Sequence, residues 1–305
     1  MNKPILFIIS ITLCTALIIA IRFVGLEGQA KANVKRARSL PQAFDYARGT
    51  APQNKTAQWV SISMGAPGSV ITEADIDILP EPAQRYFRNA QVAGKNRISS
   101  FSVILEGRIR NGPTEPWMPL IMRQYNRLDN PARVVYLSST KPPMKGIDSF
   151  LEGQGRMLIK AMDLIKVVDS KGPEMAISAF VTFLNDLTLC PLAYFSLPLK
   201  FRQIGSNSIE LSMTYAGMAV SAVMTVDSEG RPVNWRSEDR YAEVKGRNLK
   251  DRWATPFEGS KEIAGLRIPE KGAGIHDYDG NPYIYVELDR IHSLVLDANS
   301  LPEDL

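Results

Sequence analysis

From Ile98 onward the chain alternates. In "SFSVILEGRIR", Phe101, Val103 and Leu105 fall on one side of an extended backbone. Period two is the signature of a half-buried strand. The pattern recurs in "WMPLIMRQYNRL" and "PARVVYLSS", joined at "DNP", and in "FLEGQGRMLIK". It resumes in "LKFRQIG", "SIELSMTYAG" and "MAVSAVMTVDSEGRPVNW", where "DSEG" is a hairpin turn. "RSEDRYAEV" and "GLRIPEKGAGIHDYDGNPYIYVELDRIHSL" complete the set. Many strands at short spacing predict an antiparallel meander.

One stretch breaks the alternation. Within residues 172–197, "GPEMAISAFVTFLNDLTLCPLAYF" opens on Gly-Pro and an acidic first turn. Its apolar side chains cover most of a helical circumference, which predicts a buried helix or one lying over an apolar surface. Helix signals also precede the strands. Thr72 is a candidate N-cap with Glu73 and Asp75 in the first turn. Glu81, Pro82 and the run Ala83–Ala90 make a second helix, with Pro82 in its first turn and Gly94 past its end. The expected class is α+β: a large curved antiparallel sheet, half-barrel-like, with N-terminal helices and one apolar mid-chain helix as its cover.

"PILFIISITLCTALIIAI", Pro4 to Ile21, carries no charge and has the length of a membrane-spanning helix. A single-span transmembrane anchor is expected, with a cleaved signal as the alternative because "AKA" at Ala30–Ala32 resembles a cleavage site. The expected layout is an anchor or signal at 1–30, a juxtamembrane linker at 31–70, one domain at 71–297 and a tail at 298–305. Basic residues after the span would hold the body in the cytoplasm. A very short tail before an apolar run is instead the layout of an export signal, and the extracytoplasmic side is favoured.

Composition excludes several functions. The chain has 305 residues, 45% hydrophobic and 22% charged, so it is neither disordered throughout nor a multi-span membrane protein. Its net charge is +4, but residues 1–50 hold seven basic and two acidic side chains. The remaining 29 basic and 30 acidic residues are balanced, so no nucleic-acid partner is expected. Cys14 and Cys190 give no disulfide framework, and two histidines argue against a metal site. No cofactor is expected, and no protein partner is indicated.

The motifs read mostly as structure. "GQGR" lacks the spacing of a phosphate loop, so Gly153 and Gly155 are read as strand punctuation or close backbone approach. Lys160, Asp163 and Lys166 are placed on a strand that turns near Asp163. Asp169, Glu174 and Asp186 could pair for acid–base work, but ion pairing is the simpler reading, with Arg156 or Lys160 facing Asp186. "GIHDYDGNPY" puts His276 beside Asp277 and Asp279, although Asp-Gly and Asn-Pro are turn formers.

"LPEPAQRYF", "WMPLIMRQY", "GQGRMLIK", "VVDSKGPEM", "FLNDLTLCPLAYF", "DSEGRPVNW" and "GLRIP" occur in this order over residues 75–290. In them the chain resembles a family of uncharacterised, mostly bacterial membrane-anchored proteins, the DUF6544/DUF6920 type. The resemblance implies no activity and no catalytic residues. The layout is also similar to the lipoprotein-carrier (LolA/LppX-like) half-barrel that holds acyl chains.

The expected function is binding of a membrane lipid or other hydrophobic ligand between the sheet and the helix 174–190. Met157, Ile159, Phe180, Phe183, Leu184 and Leu187 are the expected lining. Arg123, Arg156, Lys160 and Glu174 are the expected mouth. The alternatives are a hydrolase using His276 with Asp277 or Asp279, and a structural or interaction module with a solid core.

Overall fold

Strand pairing follows the chain almost step by step. The structure is a computed structural model that describes residues 25–44, 59–62, 64–244 and 246–304. Helix α1 (Leu26–Ser39) and the short β1 (Val60–Ser61) come first, followed by α2 (Glu73–Asp77) and α3 (Glu81–Asn89). A six-strand meander follows: β2 (Ser100–Ile109), β3 (Met118–Arg127), β4 (Ala132–Thr140), β5 (Pro143–Leu151), β6 (Gln154–Ala161) and β7 (Ile165–Lys171). Helix α4 (Pro173–Asp186) and two 3-10 turns, Leu187–Leu189 and Pro191–Ser196, lead to the second meander. This comprises β8 (Lys200–Gly205), β9 (Ser208–Tyr215), β10 (Met218–Val226), β11 (Pro232–Val244) and β12 (Arg247–Glu258). A small ribbon, β13 (Lys261–Ile263) with β14 (Leu266–Ile268), precedes β15 (Lys271–His276) and β16 (Tyr283–Leu296).

Fourteen strands make one sheet in the order β1-β8-β9-β10-β11-β12-β15-β16-β2-β3-β4-β5-β6-β7. The last strand pairs antiparallel with the first long one, Leu294 opposite Val103, and joins the two meanders. The α+β class is therefore corrected to a mainly β one. The antiparallel sheet is as expected, but helices α1 to α4 are only 14, 5, 9 and 14 residues long.

The membrane-spanning helix is also corrected. Among the described residues no helix is long and apolar enough to cross a membrane. A 14-residue helix spans about 21 Å against a hydrocarbon core of about 30 Å. Residues 4–21, on which the expectation fell, lie outside the described residues. A single-pass membrane protein, on either side, has no support here.

The connection from β7 to β8 explains α4. β7 is one edge of the sheet, and β8 lies next to the other edge. Residues 172–199 must therefore cross from rim to rim. They do so through the concave side, where α4 packs on β5, β6 and β7 and also on β10 and β11. A helix inside a trough is enclosed on most sides, so Phe180, Val181, Phe183 and Leu184 are all fully buried. Phe87 of α3 plugs one end, with its ring 4.7 Å from Phe195 and 5.5 Å from Tyr194. The capping box expected at Thr72 is present with Asp75.

The glycines of "GQGR" mark two close approaches. A Cβ on Gly155 would lie 2.3 Å from the Met175 carbonyl oxygen, so the start of α4 rests directly on β6. A Cβ on Gly153 would meet the Ala216 Cβ at 2.5 Å, where the β5–β6 and β9–β10 turns touch. Since neither backbone segment can give way cheaply, Gly155→Ala should destabilise the fold by about 1–3 kcal/mol. A lowered midpoint of thermal unfolding would report it. An unchanged midpoint would contradict this packing.

The convex face has its own cover. Leu26, Ala30, Val34 and Ala37 form one stripe of α1 and pack on Tyr125, Val134, Tyr136, Ile147 and Leu158. Both helix ends are tied. Asp163, in the β6–β7 turn, accepts from the Leu26 N–H at 3.2 Å. Arg127, held by Asp129 at 2.5 Å, donates to the carbonyls of Ala37 and Leu40.

Candidate functional site

Alternation along β2 to β6 sends Leu105, Met122, Leu137 and Met157 to the concave face. From the other half of the sheet come Phe257, Val286 and Leu288. Together they wall a cavity of about 130 Å³ beside α4. Its lining includes the exposed Glu270 and Lys271. It also includes the polar side of the helix: Thr182, Asn185 and Asp186.

That polar side belongs to a buried charge network. Arg133 on β4 donates through Nε to Asp186 at 2.5 Å and also pairs with Asp148 on β5. Gln124 on β3 donates to the same Asp186 oxygen at 2.7 Å. Arg133 is 5% exposed. Burial disfavours its charge, yet the two carboxylates hold the guanidinium above its ordinary value. Burial raises the Asp186 carboxyl, against the opposing pull of Arg133 and Gln124.

A second cation comes from β11. Arg240 lies over the Trp253 ring at 4.1 Å and bonds to Thr182. Burial lowers its pKa, opposed chiefly by Asp251. Asp251 is 3.9 Å from Arg240 Nε, but its Oδ2 is held at 2.5 Å by His276 Nδ1. Thr255 and Asn185 complete the wall through a 2.6 Å hydrogen bond.

Of the residues expected to line or gate a pocket, Met157 alone reaches this cavity. Ile159 shares its face of β6 but is not part of the lining. Phe180, Phe183, Leu184 and Leu187 are fully buried in the main core. They occupy the closed side of the trough, while the cavity lies on the helix's polar side. The reason is packing: the apolar majority of α4 finds apolar partners, and its polar minority must face other polar groups.

The expected mouth groups are elsewhere. Arg123 alternates with Met122 and Gln124 and so falls on the convex face, paired with Glu27 at 2.8 Å. Arg156 and Lys160 alternate with Met157 and Ile159 and also point away from the cavity. Arg156 pairs at 2.8 Å with Asp169, whose carboxyl Arg156 and Lys166 together hold well below the usual range. Glu174 stays in the first turn of α4. Asp186 therefore meets Arg133, not Arg156 or Lys160.

His276 pairs with Asp251 and not with Asp277 or Asp279. Asp277 and Asp279 accept backbone N–H groups in their own turn, each at 3.0 Å. The imidazole is 8% exposed and sits among the rings of Trp253, Tyr278, Tyr283 and Tyr285. Burial lowers its pKa, so the neutral form predominates near neutrality, with its proton on Nδ1 facing the carboxylate. Among the described residues no group of three His, Cys, Asp or Glu could hold a metal ion.

No curated protein matches the chain. A LolA superfamily protein from Nitrosomonas europaea is similar in structure, at 11% identity and a TM-score of 0.35, over 77% of this chain and 95% of that one. A DUF1329 family protein from Desulfovibrio piger is similar at 13% identity and a TM-score of 0.34, over 75% of this chain and 95% of that one. Scores at this level do not establish a common fold. The sequence relation is firmer: residues 69–288, which hold every cavity residue named above, match the model of a family of unknown function, and the chain belongs to that family, DUF6544.

Proposed function

We propose that this protein binds a small hydrophobic molecule, or the apolar end of a larger one, between α4 and the concave face of the sheet. The observation that carries this reading is the cavity itself. Protein interiors are close-packed and seldom leave voids larger than a water molecule. Here about 130 Å³ stays open between apolar walls. An engineered dry cavity of about 150 Å³ takes up benzene, so the space suits a ring or the end of an alkyl chain. A longer ligand would extend toward Glu270 and Lys271.

Met157→Trp supplies the test, because it fills the space from the wall. The wild type should enhance the fluorescence of the neutral probe N-phenyl-1-naphthylamine on binding. The variant should bind it at least about tenfold more weakly, with its thermal midpoint unchanged or raised. Organic extraction and mass spectrometry of the purified wild type should find a hydrophobic molecule that the variant lacks. Equal probe binding by both proteins would exclude this cavity.

A further inference from the structure

We infer that the ligand carries a neutral polar head that both donates and accepts a hydrogen bond, a hydroxyl being the simplest. This rests on the binding reading above and narrows it to a chemical class. Two residues that line the cavity each carry a buried atom with no hydrogen-bond partner among the described residues: Asp148 Oδ1 and Arg240 Nε. Asp148 is 8% exposed, and its other oxygen is taken by Arg133. Arg240 uses Nη1 on Thr182, and its nearest carboxylate oxygen, on Asp251, is 3.9 Å away and already engaged by His276. One acceptor and one donor are thus left unpaired beside a mostly apolar cavity, where an unmade hydrogen bond is costly.

The two atoms belong to residues tied to one turn of α4. Thr182 and Asp186 are one turn apart on α4, within about 6 Å of each other. Thr182 holds Arg240 from one half of the sheet, and Asp186 holds Arg133, with Asp148, from the other. A ligand head lying against this helical turn meets both sides. The charges around it largely offset one another: Arg133 and Arg240 against Asp148, Asp186 and the more distant Asp251, which His276 engages. A carboxylate head would add negative charge beside Asp148 and Asp186. An ammonium head would lie against the two guanidinium groups. A hydroxyl donates to Asp148 Oδ1 and accepts from Arg240 Nε, and it brings no charge to desolvate.

Three chain-matched amphiphiles test this by displacing N-phenyl-1-naphthylamine at about pH 7.5, where the acid and the amine are both charged: 1-octanol, octanoate and octylamine. The wild type should release the probe to octanol at a concentration at least about tenfold lower than to either charged analogue. Asp148→Asn should narrow the gap between octanol and octanoate to within about threefold, and Arg240→Gln should do the same for octylamine. A charged analogue equal to octanol on the wild type overturns the head assignment alone. Failure of the probe itself to bind overturns the cavity reading with it. If octanol leads but both variants keep the full gap, the selectivity does not come from these two atoms and the assignment falls. The wild-type order needs no variant, so a substitution that prevents folding leaves it decisive.

Discussion

Arg133→Met should lower the free energy of unfolding by about 3–5 kcal/mol, because removing one member of a buried ion pair strands its partners. Two carboxylates, Asp148 and Asp186, lean on this one guanidinium. The loss should appear as a lower urea midpoint with an unchanged slope. It should also depend on pH. Burial already raises the Asp186 carboxyl with Arg133 in place, and without Arg133 it should rise further. A carboxyl whose folded pKa lies above its unfolded value costs stability once pH exceeds the unfolded value. The deficit should therefore be full near neutrality and shrink as pH falls toward about 4. A loss under about 1 kcal/mol, or one that grows with acid, would show that the network is not closed as described. Replacing Arg133, Asp148 and Asp186 together by apolar residues of similar volume should restore most of the loss, since no charge is then left unpaired.

Phe180→Ala should cost a comparable amount, about 3–5 kcal/mol, by a different mechanism. The ring is fully buried, stacks on Phe150 at a centroid distance of 5.3 Å and lies 6.1 Å from Tyr215. Truncation removes contacts that pin α4 to both halves of the sheet. Phe180 faces away from the cavity, so probe affinity measured where the variant remains folded should change less than about threefold. A large loss of affinity with little loss of stability would return Phe180 to the cavity wall. The pair of results separates the two sides of one helix.

The polar side of that helix was the harder part to see from sequence. Period-two runs reveal strands, turn residues reveal hairpins, and "GPEMAISAF" reveals an apolar helix, so the antiparallel sheet and its inserted helix were legible. The excess weight given to helix came from reading two short N-terminal helices as major elements. The cavity was less legible because its polar groups lie far apart in the chain. Gln124, Arg133, Asp148, Asp186 and Arg240 come from β3, β4, β5, α4 and β11. A signal was present in the alternation: Arg133 is in phase with Val135 and Leu137, and Asp148 with Phe150. A charge in phase with the buried side of a strand requires a partner. On β11 a register shift between Ser237 and Arg240 hides that phase. Asp251, the partner of His276, was missed because proximity in sequence favoured Asp277 and Asp279.

The pairing of β16 with β2 has a consequence for how the protein is made. The middle of the sheet is a seam between the two ends of the domain, residues 101–109 against 286–296. During synthesis the first meander can form early from local hairpins, but its β2 edge stays unpaired until β16 has emerged. Contacts of such long sequence separation make folding slow and leave an edge open to the wrong strand in the meantime. A chain stopped before residue 283 would lack its central joint rather than a peripheral strand, and each half would expose an edge that the complete protein keeps inside.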